Sequence, residues 1–166
     1  MGNPVKNPRI AEQKQNSGVD GGRFTVGDDA VRDGGNRDHK GLDLLVGHGE
    51  PLFTMREGEV KAIGNDKDGL GKYVIVNYDI GGEDVWILYA HLNTVNVGSG
   101  TIPQGTVIGT AGISGNLAGA IEKNFAYQHV HMEVRIGGWS GSAKDPENYI
   151  NTKFYTNGNV VPGTDC

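Results

Sequence analysis

Cysteine is nearly absent: Cys166, at the last position, is the single one, so no internal disulfide is available and thiol chemistry carries no information on compartment. It reads as an exposed tail thiol. Long apolar runs are missing too, none approaching the roughly 18 residues that would cross a bilayer as a helix. The opening stretch from Met1 to Lys6 lacks the apolar core of an export signal, and Lys6 spoils a myristoylation match, so the chain as written is expected to be soluble. Positive charge is in short supply. With 15 Lys and Arg against 20 Asp and Glu, the formal net charge is −5, which provides no field for holding a polyanion and sets nucleic-acid binding aside.

What the chain has instead is glycine, 28 residues of it, punctuating short apolar stretches. A length of 166 residues suits one domain, and this punctuation predicts an all-β fold: a mainly antiparallel β-sandwich or barrel-like core with long loops and at most one short helix. Residues 1–35 read as an irregular N-terminal wrap, with turns at Gly18–Gly22 and Asp33–Asn36, and residues 151–166 as a tail. Leu52–Met55 and Val60–Ile63 flank Gly58 in the pattern of a hairpin, and Lys72–Tyr78 with Val85–Tyr89 form a second pair around Gly81 and Gly82. Further strands fall at Thr106–Thr110 and His129–Ile136. Residues 117–127 are the one place for a helix or long loop, and Pro146–Ile150 for a closing turn.

Four of the five histidines fall in three short segments. His129 and His131 are two apart on a strand, so both project from one face about 6.6 Å apart while Val130, Met132 and Val134 face the core and Glu133 extends the polar side. Taken alone, such a pair is equally a solvated strand face. His39 and Asp43 are separated by Gly41, which would let the backbone turn so that imidazole and carboxylate converge, with Leu42 and Leu44 anchored in the core. Joined to His131, they make a set of two imidazoles and one carboxylate that suits zinc and leaves a fourth position open for water. His91 ends the apolar strand Val85–Tyr89, where a side chain leaves the core for a cleft; a satisfied strand-end histidine is the bland alternative. His48, between two glycines, reads as a loop residue.

Together His39 to Asp43, Tyr89 to Leu92, Gly112 to Gly115 and His129 to Val134 resemble the lysostaphin-type, LytM-like zinc metallopeptidases that cut peptidoglycan peptides. The resemblance covers roughly residues 36–150, taken as the metallopeptidase domain. It implies one zinc per chain held by His39, Asp43 and His131, with His91 and His129 as catalytic imidazoles, and an antiparallel β core crossed by a groove. The implied reaction is hydrolysis of a D-alanyl crosslink or glycyl bridge by metal-activated water, in the cell wall or periplasm. The chain departs from the family pattern in a longer stretch before the His-x-His, Asn116 to Gln128, which should border the groove. Three alternatives stand beside this reading. One is a non-catalytic regulator of other wall hydrolases, which the five filled positions argue against. Another is a structural sandwich with unrelated histidines. The third is a wall-degrading toxin delivered into competitor bacteria, whose producer would need a cognate inhibitor.

Overall fold

The structure, a computed structural model, describes residues 1–15 and 17–165; Cys166 lies outside the described residues. In chain order the strands are β1 (Gly41–Leu45), β2 (Pro51–Phe53), β3 (Gly58–Asp66), β4 (Gly71–Ile80), β5 (Glu83–Val95), β6 (Gly100–Ile102), β7 (Val107–Ala111), β8 (His129–Ile136) and β9 (Ala143–Lys144). All pairings among them are antiparallel, and the main sheet runs β1-β8-β5-β4-β3-β6. The all-β reading holds. Among the described residues two short α-helices accompany the strands, one more than expected: α2 (Leu117–Glu122) lies in the anticipated stretch, while α1 (Gly18–Gly22) replaces a predicted turn. Pro146–Asn148 forms the closing turn, as a 3-10 helix.

Period-two alternation decides which face is buried. Val130, Met132 and Val134 of β8 are buried in one core with Leu42, Leu44, Val74, Val76, Ile87 and Tyr89, so the intervening β8 residues are turned to the other side of the sheet. Within that core the hydroxyls of Tyr78 and Tyr89 satisfy one another at 3.0 Å. The β4–β5 hairpin forms as read, with Gly81 and Gly82 at φ +65° and +86°, as a two-residue loop matched to the strand twist requires.

The other expected hairpin does not form. β2 pairs with β7, and β3 pairs with β4 and β6. Between them, the backbone amide of Thr54 donates to the Thr106 carbonyl at 2.9 Å and its hydroxyl to Pro103 at 2.7 Å, which carries the chain away from a tight reversal. Gly58 is a close-packing glycine and not a turn glycine: a Cβ there would lie 2.8 Å from Val76 Cγ1 and 2.9 Å from the Asn77 carbonyl oxygen.

Two features position the site. β5 does not end at Tyr89 but runs on to Val95, changing partners on the way: through Ala90 it pairs with β8, and from Leu92 with β7. His91 stands at that corner with φ +61°, a left-handed conformation uncommon for residues other than glycine. Its amide donates to Leu70 at 2.8 Å and its carbonyl accepts from Gly112 at 3.0 Å, which holds the strained corner. The N-terminal segment lies along the outer edge of β1, where Ala11 donates to the Asp43 carbonyl and Leu45 to the Arg9 carbonyl, both at 2.8 Å. An edge that would otherwise be open is thereby covered.

Candidate metal centre and groove

The β1–β8 register sets Asp43 directly opposite His131. His39 arrives from the segment before β1, pinned to Thr25 by amide-to-carbonyl bonds of 2.7 and 3.0 Å. Asp43 Oδ1 lies 2.8 Å from His131 Nδ1 and 3.2 Å from His39 Nε2, and the two nitrogens are 3.3 Å apart. Zinc bonds of about 2.0–2.2 Å at the tetrahedral angle separate neighbouring donors by about 3.3–3.6 Å, so this triangle is close to one face of such a site. The three side chains form a group able to hold a metal ion.

Hydrogen bonds also fix how each ring presents its nitrogens. A carbonyl oxygen only accepts, so His39 Nδ1, 2.6 Å from the Arg23 carbonyl, carries the hydrogen and leaves Nε2 as a lone pair. His131 lies between two carboxylates, Nε2 donating to Glu133 Oε1 at 3.1 Å and Nδ1 to Asp43 Oδ1 at 2.8 Å, and it is Nδ1 that would give up its proton to a metal ion. A carboxylate behind a ligating imidazole is the partner that orients such rings and raises their basicity. His91 Nδ1 donates to the Ser114 carbonyl at 2.9 Å and His129 Nδ1 to the Tyr127 carbonyl at 2.8 Å, which frees both Nε2 atoms. The His91 and His129 rings meet edge to face at 5.3 Å, and His129 Nε2 is 3.5 Å from Asp43 Oδ1.

Electrostatics divide the set. Burial would raise the Asp43 carboxyl, but the imidazoles of His129, His39 and His131 crowded against it hold it well below the usual carboxylate range. Burial pushes His91 down to about 4, aided by His129 and His131, and burial lowers His129 as well. Burial pulls on His131 too, yet its bonds to Asp43 and Glu133 outweigh that and raise it to about 9.

All five singled-out residues therefore converge, while His48 sits exposed in its loop as read. Gly41 is not a turn: it lies within β1, where a Cβ would come 2.5 Å from His131 Cε1 and 2.5 Å from the Met132 carbonyl oxygen. Its hydrogen makes room for the His131 ring.

Two participants had escaped attention. Glu133 was visible only as part of a polar face, although its place two residues after His131 was the available signal. Arg32 had none: its guanidinium reaches Asp43 Oδ2 at 2.6 Å from a loop with no pattern of its own. The site opens into a groove of about 940 Å³, walled by the N-terminal segment at Ala11–Gln13, the loop 66–70, and α2 with the residues after it. The stretch before the His-x-His does border it. That wall is tied together, Lys14 donating from its amide to the Phe125 carbonyl at 3.1 Å and from Nζ to Asn124 Oδ1 at 2.9 Å.

With this geometry in place, comparisons with known proteins agree with it. The model of peptidase family M23 matches residues 37–146. An uncharacterized metalloprotease of Haemophilus influenzae is 30% identical over 103 residues, which are 61% of this chain and 19% of that protein; the match thus spans about a fifth of that relative's length. Among solved structures, the catalytic domain of the prophage-encoded M23 protein EnpA from Enterococcus faecalis superposes with a TM-score of 0.58 at 25% identity, over 76% of this chain and 91% of that one. The catalytic domain of the antimicrobial peptidase lysostaphin from Staphylococcus simulans shares the fold, with a TM-score of 0.58 at 23% identity over 77% and 87% of the two chains.

Proposed function

The chain belongs to peptidase family M23, and from that premise we propose that it is a zinc-dependent endopeptidase hydrolysing crosslink or stem peptides of bacterial peptidoglycan, in the cell wall or periplasm. One observation carries the reading: donor atoms of His39, Asp43 and His131, drawn from two distant stretches of the chain, lie within 3.3 Å of one another. His39 Nε2, Asp43 Oδ1 and His131 Nδ1 would hold one zinc ion. When bound, the ion supplies a Lewis acid for the scissile carbonyl and lowers the pKa of water from 15.7 to about 7.

His91 and His129 do the proton work. Both are low-pKa, buried imidazoles whose Nδ1 hydrogens are committed to carbonyls, so at neutral pH each offers an Nε2 lone pair to the groove. Either ring can take the proton of the attacking water and return it to the leaving amine. Protonated, the same ring donates to the oxyanion of the tetrahedral intermediate. The Ser114 carbonyl, which accepts from Nδ1, holds the His91 ring where it lines the groove.

The test is digestion of purified peptidoglycan of D-alanyl-crosslinked and glycine-bridged types, by zinc-loaded and chelator-treated protein, with mass spectrometry of new termini. New amino and carboxyl ends at one class of peptide bond, lost on chelation, are expected. Cleavage that survives exhaustive chelation would overturn the zinc assignment, and intact walls of both types would overturn the substrate.

A further inference from the structure

Asp43 has two carboxylate oxygens, and the structure treats them differently. Oδ1 faces His39 and His131, whereas Oδ2 accepts from Arg32 Nη2 at 2.6 Å. The pair is shielded, with side-chain exposures of 14% for Arg32 and 6% for Asp43. The guanidinium is held from its other side as well, Nε donating to the Gly21 carbonyl at 2.7 Å. Local sequence explains its placement: a tight reversal through Asp33, Gly34 and Gly35, all at positive φ, folds the chain back so that Arg37 donates its amide to the Arg32 carbonyl at 3.2 Å and its Nε to Asp33 at 2.6 Å. Arg32 therefore sits on a braced turn.

We propose that Arg32 is a positioning residue of the metal centre: it occupies Asp43 Oδ2 so that the carboxylate meets the ion through Oδ1 alone. A carboxylate free to chelate with both oxygens would fill the fourth position of a tetrahedral site, the one that water and substrate need. Arginine suits the task because its planar fork reaches two acceptors at fixed angles, which a lysine ammonium on a flexible stem does not. Arg32 precedes residues 37–146, the part matched by the family model, so the N-terminal segment contributes to the site as well as walling the groove. This inference rests on the metallopeptidase reading.

The experiment compares wild type, R32Q and R32K for zinc affinity by chelator competition, for the visible spectrum of the cobalt-substituted protein, and for thermal unfolding without metal. In R32Q, zinc affinity is expected to fall 10- to 100-fold, the usual cost of losing such a partner. Its cobalt absorption should weaken as the coordination number rises, and R32K should fall between. A wild-type cobalt spectrum in folded R32Q overturns the proposal even if activity drops, because that result marks a purely structural role. Should R32Q fail to fold, R32K decides: a weakened cobalt band supports the proposal, and a wild-type band with wild-type affinity refutes it. Wild-type protein that takes up neither zinc nor cobalt sinks the metal reading itself, a distinct outcome.

Discussion

Alanine at position 41 adds one methyl group to the tightest point of the metal centre. The new Cβ would stand 2.5 Å from His131 Cε1, 2.5 Å from the Met132 carbonyl oxygen and 2.9 Å from His131 Nε2. Ordinary contact begins near 3.4 Å, so the two closest atoms must each retreat by about 0.9 Å. The Met132 oxygen belongs to the backbone of the β1–β8 ladder, and the ring can tilt only by loosening its bonds to Asp43 and Glu133. Overpacking of this kind costs about 1–3 kcal/mol. At about 2–4 °C per kcal/mol for a domain of this size, G41A without metal should melt about 2–12 °C below wild type. A ring displaced by about 1 Å should also bind zinc less well, and each tenfold loss of affinity removes about 1.4 kcal/mol of the stabilisation that saturating zinc confers. Turnover should fall on the order of 100-fold, the scale of a 1 Å misplacement. Calorimetry of chelated and zinc-loaded protein, paired with peptidoglycan hydrolysis, reads all three quantities. If G41A kept the wild-type melting temperature and the wild-type zinc shift, the close approach of His131 to β1 would be refuted.

Three further outcomes are expected. His131→Ala should lose metal and zinc-dependent stability together, whereas His91→Ala and His129→Ala should keep the metal and lose about two to four orders of magnitude in turnover; metal content, melting temperature and activity measured side by side check this, and zinc retained by His131→Ala but lost by His129→Ala would reverse the assignment. Glu133→Gln keeps an acceptor for His131 Nε2 but removes the charge behind it, and should lower zinc affinity about tenfold or more in a chelator competition, an unchanged affinity counting against the pairing. Burial pushes Tyr78 up to about 12, so below pH 10 the phenol is neutral folded or unfolded; between 10 and 12 only the unfolded chain ionises, and folding should lose roughly 2–3 kcal/mol across that window. Tyr89, raised by burial as well, adds to the same decline, so Tyr78→Phe should make it shallower without abolishing it in denaturant titrations, and an equally steep fall in the variant would assign it elsewhere.

What the sequence settled by itself was local. Alternation along His129–Ile136 separates a core face from a polar face because a strand's side chains repeat every two residues whatever it pairs with, and Gly81 and Gly82 mark a hairpin because the turn needs two positive φ values. The order and residue types of His39, Asp43, His91, His129 and His131 likewise singled out five residues that the fold brings together. Tertiary structure decided everything that depends on partners far along the chain. The Asp43–His131 register joins residues 88 apart, and His91 acquires its corner only because β5 leaves β8 for β7. The hairpin read around Gly58 gave way because β2 and β3 each found a distant strand, a choice set by long-range pairing and close packing against β4, to which a short apolar run is indifferent. His129 and His131 are equivalent by spacing, and only the fold places one 2.8 Å and the other 3.5 Å from the Asp43 oxygen. Arg32 was illegible for the same reason: nothing in a glycine-rich loop states which buried carboxylate it will meet, since that is fixed by the path of the N-terminal segment along the edge of β1.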